Sequence, residues 1–125
     1  MQNYKEIHIW KFPPTSTFIR LNKNFRINIF KQLKSQSESI KDLLNKINKL
    51  SLKYRIKRKY NTGHLSSWIK GSKKDRGKIK NINIPLWLLI EISKVLAKTN
   101  KTGNKVMRNI EKNIEYYTGV GNLIQ

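Results

Sequence analysis

Between residues 40 and 50 five aliphatic side chains, Ile40, Leu43, Leu44, Ile47 and Leu50, recur at i, i+3, i+4, i+7 and i+10. On a helix that spacing draws one continuous apolar stripe, which is stable in water only when other apolar faces cover it. The rest of the chain supplies the covers. From Asn24, an N-cap candidate, Phe25, Ile29, Phe30 and Leu33 keep a helical rhythm to about Lys34, and Ser37 to Ser39 offer caps for the striped helix. Thr62 offers an N-cap for a short helix that runs to Lys70 and stops at Gly71, a residue suited to a left-handed C-cap. Pro85 takes the first position of a fourth helix, which reaches about Ala97 and buries Leu88 or Leu89, Ile92, Val95 and Leu96.

The remaining segments are shorter. Ile7 to Phe12 and Phe18 to Leu21, separated by Pro13-Pro14 and by Thr15, Ser16 and Thr17, read as strands or extended arms, because proline cannot donate to a ladder. Residues 79–84 are expected to be extended, Asn100 to Asn104 to turn, and a last helix to carry Val106, Ile110, Ile114 and Tyr117 until Gly119 and Gly121 end it. At 125 residues the chain is the size of one domain with extensions. The expected fold class is mainly α: a small helix-turn-helix bundle of four to five helices with short N-terminal strands or an extended arm. Residues 1–17 form the arm, 18–98 the helix-turn-helix nucleic-acid-binding domain, and 99–125 the C-terminal helix and tail.

Charge narrows the function. The chain carries 27 Lys and Arg against 7 Asp and Glu, a formal +20 at pH 7. A charge of that density repels itself unless a polyanion neutralises it. It is also clustered: Lys53, Arg55, Lys57, Arg58, Lys59, Lys70, Lys73, Lys74, Arg76, Lys78 and Lys80 lie between Ser51 and Lys80, against Asp75 alone. A composition rich in Lys, Asn and Ile would spread cations evenly, so the clustering points to nucleic acid. If six to ten phosphates are touched, affinity falls by about a thousandfold or more between about 50 and 200 mM salt. An anionic membrane is the weaker alternative. Neither terminus carries a basic helix with a broad apolar face, and the apolar stretch Ile84 to Ala97 is interrupted by Glu91 and Lys94 and is shorter than the ~20 residues of a span.

Catalytic chemistry has little to stand on. The chain contains no cysteine. His8 and His64 have no acidic or sulfur partners at ligand spacing, and there is no Gly-rich phosphate loop or nucleophile motif. Glu111 and Glu115, flanked by Arg108 and Lys112, read as a solvated salt-bridging edge of the last helix. The expectation is a non-enzymatic protein with no metal, no cofactor and no small-molecule substrate. Its start lacks the apolar block of a signal peptide, which makes a cytoplasmic location at the nucleoid or ribosome the default. Among the aromatic residues of the basic segment, Trp68 stands at i+3 from Leu65 and reads as a core anchor. Tyr54 and Tyr60 are open to stacking on unpaired bases.

A helix, an irregular link, a short helix with a polar outer side, then glycine and a basic loop is the order of a helix-turn-helix unit, whose second helix enters the major groove. Here that helix is Thr62 to Lys70, with Thr62, His64, Ser66, Ser67 and Lys70 outside and Leu65, Trp68 and Ile69 inside. The link from Leu50 is long for the motif, so Lys53 to Lys59 reads as a basic extension along the phosphate backbone. Thr62-Gly-His-Leu-Ser-Ser-Trp-Ile-Lys-Gly71, followed by Ile84-Pro-Leu-Trp-Leu-Leu-Ile-Glu-Ile-Ser-Lys-Val-Leu96, resembles the phage-repressor-type helix-turn-helix domains found N-terminal to archaeal LAGLIDADG homing endonucleases. Residues 109–119 are similar to the connector that leads into the nuclease there. The two-helix acidic motif of the nuclease is absent from the sequence, so the resemblance implies DNA binding without cleavage. Double-stranded DNA is the favoured partner and ribosomal RNA the alternative. A third and weaker reading docks the last helix on an acidic protein.

Overall fold

The structure, a computed structural model, describes residues 9–56, 59–70, 83–98 and 104–118. Strand β1 (Phe18–Leu21) leads into α1 (Lys23–Ser35) and the striped helix α2 (Ile40–Lys53). Then come α3 (Thr62–Lys70), the two-residue β2 (Ile84–Pro85), α4 (Leu86–Ala97), α5 (Lys105–Lys112) and β3 (Ile114–Thr118). The fold is mainly α: among the described residues, five α-helices accompany one small antiparallel sheet of order β2-β1-β3.

The stripe on α2 faces inward as its spacing predicts: Leu43 and Ile47 are buried, and Ile40, Leu44 and Leu50 pack at their margin. Helix α4 is its main cover. Leu86, Trp87, Leu88, Leu89 and Ile92 are all buried, because α4 has α1, α2 and α5 around it and must be apolar on more than one side. Both Leu88 and Leu89 are therefore core residues, whereas Val95 is partly exposed.

Five expectations are corrected at element ends. Ile9–Lys11 is a single 3-10 turn rather than a strand, and Ile9 is fully buried. The chain turns again at once, with Ser16 N and Thr17 N both donating to Pro13 O, so that β1 can start in the opposite sense. Asn22, not Asn24, caps α1, its Oδ1 accepting from Phe25 N. Pro85 precedes α4 and pairs with Phe18 in the sheet. The first N–H groups of α4 are taken instead by backbone oxygens of the turn before β1, Leu86 N donating to Thr17 O and Trp87 N to Pro14 O. The last helix ends at Lys112, and Ile114 and Tyr117 belong to β3. Ile-Glu-Tyr-Tyr-Thr is rich in strand formers, and β1 offers it a free edge in the register Leu21 opposite Ile114 and Ile19 opposite Tyr117. Glu111 and Glu115 thus share no helix face; Glu115 lies 3.8 Å from Arg20 Nε across the strands. The expected glycine caps at 71, 119 and 121, the extended segment 79–82 and the turn 100–103 lie outside the described residues.

Candidate nucleic-acid interface

Helix α3 is nine residues long, too short to persist without tertiary support. Leu65, Trp68 and Ile69 provide it by facing the core. Trp68 stacks on Phe30 of α1, ring centroids 5.6 Å apart, and touches Tyr60 at 5.3 Å. The opposite side presents Thr62, Gly63 and Ser66 to solvent, with His64 and Ser67 partly covered. The inward side and the exposure of Thr62 and Ser66 follow the sequence expectation, whereas His64, expected outside, packs against Tyr60 and Trp68.

The start of α3 is capped by Asn61 rather than Thr62. Asn61 Oδ1 accepts from His64 N at 3.1 Å, and His64 Nδ1 accepts from Asn61 N at 3.2 Å, a reciprocal box that closes both donors. The cap comes one residue earlier because Thr62 already has helical backbone. His64 is thereby committed in part to the helix start, and its ring meets Tyr60 edge-on at 5.2 Å. A Cβ at residue 63 would stand 3.1 Å from the capping Asn61 Oδ1, a tight contact to which the Asn61 side chain would have to give way.

Two side chains that sequence reasoning missed, one half-buried and one buried, hold α3 in place. Asn48 of α2 takes both backbone groups of Tyr60: its Oδ1 accepts from Tyr60 N at 2.7 Å and its Nδ2 donates to Tyr60 O at 2.9 Å. The long link is therefore fastened immediately before α3. At the other end Arg26 of α1, itself buried, donates from Nε to Trp68 O at 2.9 Å. Trp68 O is among the last carbonyls of α3, where a cation is favoured. Burial lowers the Arg26 pKa and the charge of Glu115 opposes the shift, but a guanidinium starts high enough to stay charged at neutral pH.

The basic segment around α3 divides into parts. Lys53 ends α2 and sits 3.2 Å from Glu91 Oε2, which also accepts from Tyr54 Oη at 2.5 Å and lies 3.6 Å from Lys94 Nζ. Burial would raise the Glu91 pKa, but hydrogen bonds from Tyr54 and Lys53 and the charges of both lysines outweigh it and hold the carboxyl below its ordinary range. Burial, then the bond to Glu91 and its charge, push the Tyr54 phenol up. Tyr54 also packs on Trp87, and Tyr60 is buried, so both act as supports of the link. Arg55 follows with φ 58°, in a Schellman turn in which Arg55 N donates to Leu52 O and Ile56 N to Ser51 O. Glycine would adopt that backbone with less strain. Arg55 and Lys59 are exposed. Lys57, Arg58, Lys73, Lys74, Arg76 and Lys78 lie outside the described residues, as does the side chain of Lys70, the last residue of α3.

No family profile, no curated protein and no solved structure matches this chain. Among the described residues no cluster of three or more His, Asp or Glu could hold a metal ion, and no helix is long and apolar enough to cross a membrane.

Proposed function

We propose that this chain is a non-enzymatic nucleic-acid-binding protein that lays α3 in the major groove of double-stranded DNA, in the manner of the phage-repressor-type helix-turn-helix domains it resembles. The observation that carries the reading is the outer face of α3: Thr62, Gly63 and Ser66 are short, neutral and exposed on a helix fixed from behind by Trp68, Asn48 and Arg26. A groove about 12 Å wide admits a helix, and short hydroxyl side chains let it approach the base edges. Arg55 and Lys59, with Lys57 and Arg58 between them, supply the phosphate contacts that position but do not specify. On this reading the protein works in the cytoplasm, on the nucleoid.

An RNA partner, ribosomal RNA foremost, is favoured by one observation: exposed cations extend to Lys31 and Lys34 on α1 and to Lys105, Arg108 and Lys112 on α5. RNA helices hide their base edges in a deep groove, so α3 would then serve shape and phosphate contacts alone. Electrophoretic shift with duplex DNA, single-stranded DNA and structured RNA at two salt concentrations separates the two. Duplex binding that weakens when Ser66 and Ser67 are changed supports the DNA reading. Preference for structured RNA, unaltered by changes at His64, Ser66 and Ser67, overturns it.

A further inference from the structure

The core uses one face of the sheet. Along β1, Ile19 and Leu21 are buried while Phe18 and Arg20 point to the other side. The register sets Tyr116 opposite Arg20 and Thr118 opposite Phe18, so these four side chains share the outer face. Neither Phe18 nor Tyr116 belongs to the core cluster or its margin. Tyr116 is 51% exposed, the one large aromatic side chain so exposed among the described residues. Its ring is held in place by the Arg20 guanidinium, 5.1 Å from the centroid. Diagonal cross-strand neighbours such as Phe18 and Tyr116 stand about 7–8 Å apart, roughly twice the ~3.4 Å rise per nucleotide of a strand.

The end of the sheet beside Arg20 is cationic. Asn22 N donates to Asn113 O at 2.8 Å, which brings Lys23, the first residue of α1, next to Lys112, the last of α5. Both lysines are exposed. Aromatic side chains on a sheet face beside cations are what single strands require, because every base has a π-face to stack and every linkage a phosphate to neutralise. Duplex DNA has its bases already stacked and gains nothing from the exposed rings, only from the lysines.

The geometry points to a second nucleic-acid surface: the outer face of the sheet stacks unpaired bases of a single strand on Tyr116 and Phe18, while Lys23 and Lys112 meet its phosphates. This surface is built from other residues than the outer face of α3 and does not depend on the groove-reading proposal. Glu115, beside Arg20, is the one carboxylate of β3 and opposes the incoming strand.

The test titrates the full chain against labelled oligothymidylate, oligouridylate and a random-sequence duplex by fluorescence anisotropy. Tyr116→Ala is expected to weaken binding of the single strands about tenfold and to change duplex binding less than about twofold. Tyr116→Phe and Tyr116→Trp keep the ring and are expected to keep single-strand affinity, and Glu115→Gln to raise it. Ser66→Asp is expected to do the reverse of Tyr116→Ala, weakening the duplex alone, so the two proposals fail separately. Comparing the two single strands shows whether the DNA or the RNA strand is preferred, with the Tyr116→Ala loss as the supporting result in either case. Circular dichroism checks that each variant folds. Photocrosslinking of an iodouracil-bearing oligonucleotide to unmodified chain is expected to mark Tyr116, whatever the variants do. Equal losses on single strand and duplex, unchanged single-strand affinity, or crosslinks confined to other residues would overturn the assignment.

Discussion

Helices α3 and α5 differ by one residue in length, and each starts from an asparagine whose Oδ1 accepts the N–H three residues on, Asn61 from His64 and Asn104 from Met107. Each buries an apolar side, Leu65, Trp68 and Ile69 in one and Met107 and Ile110 in the other. Their outer sides differ. Helix α5 shows Lys105, Arg108 and Lys112, whereas α3 shows Thr62, Gly63 and Ser66. Their attachments differ too: α3 is tied to α1 and α2 by side-chain hydrogen bonds from Arg26 and Asn48, while α5 is continuous through Asn113 with strand β3. Long cations keep a helix at a distance from a polyanion, and short hydroxyls let the helix itself come close. On the proposed reading α3 is therefore the helix that approaches the base edges, and it is tied from behind by Arg26 and Asn48.

The largest expected effect separates the two apolar sides. Trp68→Ala removes a buried ring that meets Phe30, Tyr60 and His64, and should cost about 3–5 kcal/mol in urea denaturation. Met107→Ala on α5 should fall at the lower end of its class, about 2 kcal/mol, because a thioether side chain is smaller and more adaptable than an indole. Equal costs would mean that α3 is no better anchored than α5. Asn48→Ala comes next. It strips both backbone groups of Tyr60 of their partner and should cost about 2 kcal/mol, whereas Asn109→Ala, on the exposed side of α5, should stay within about 0.5 kcal/mol.

Binding carries the next prediction. Neutralising Arg55, Lys57, Arg58 and Lys59 together should weaken duplex binding tenfold or more, and the log–log salt dependence should flatten by about 0.9 for every phosphate that no longer meets a cation. Neutralising Lys105, Arg108 and Lys112 should change duplex affinity less, and the reverse order would favour the RNA reading. Arg55→Gly isolates one member of the first set. It relieves the left-handed backbone and should stabilise the fold by roughly 1 kcal/mol while weakening binding. Unchanged binding would leave the strained arginine without a function.

The same contrast governs what was legible in the sequence. The inward sides of α2, α3 and α4 could be read because each repeats its apolar residues locally. Strand β3 could not, because Val106, Ile110, Ile114 and Tyr117 continue a helical spacing straight across Asn113. Only pairing with β1, some ninety residues away, makes the second half a strand. The caps were displaced by one or two residues, Asn61 for Thr62 and Asn22 for Asn24, since neighbouring positions offered equivalent oxygens. Arg26 and Asn48 carried no signal, for a polar residue inside a helical pattern reads alike whether it faces water or a distant backbone group. The candidate residues of α3 were therefore legible, and the parts that fix their position were not.

The smallest expected effect is electrostatic and again falls on the α3 side. Glu91 joins the end of α2 to α4 where the link toward α3 begins, through Tyr54 and Lys53. Its folded-state pKa lies below its ordinary value of 4.5, so its contribution to stability is full above that value and is lost as pH falls through the folded value. Urea midpoints followed from about pH 6 to pH 3 should fall for the unaltered chain. They should fall less for Glu91→Gln, which keeps the size of the side chain and has no charge to lose. Amide exchange over the same range should loosen Tyr60 and α3 before α5, because protonation releases Lys53 and converts the Tyr54 bond from charge-assisted to neutral, which weakens the start of the link. Parallel acid curves for the two proteins would show that the carboxylate is not coupled to folding, and equal loosening of both helices would show that the link does not transmit it.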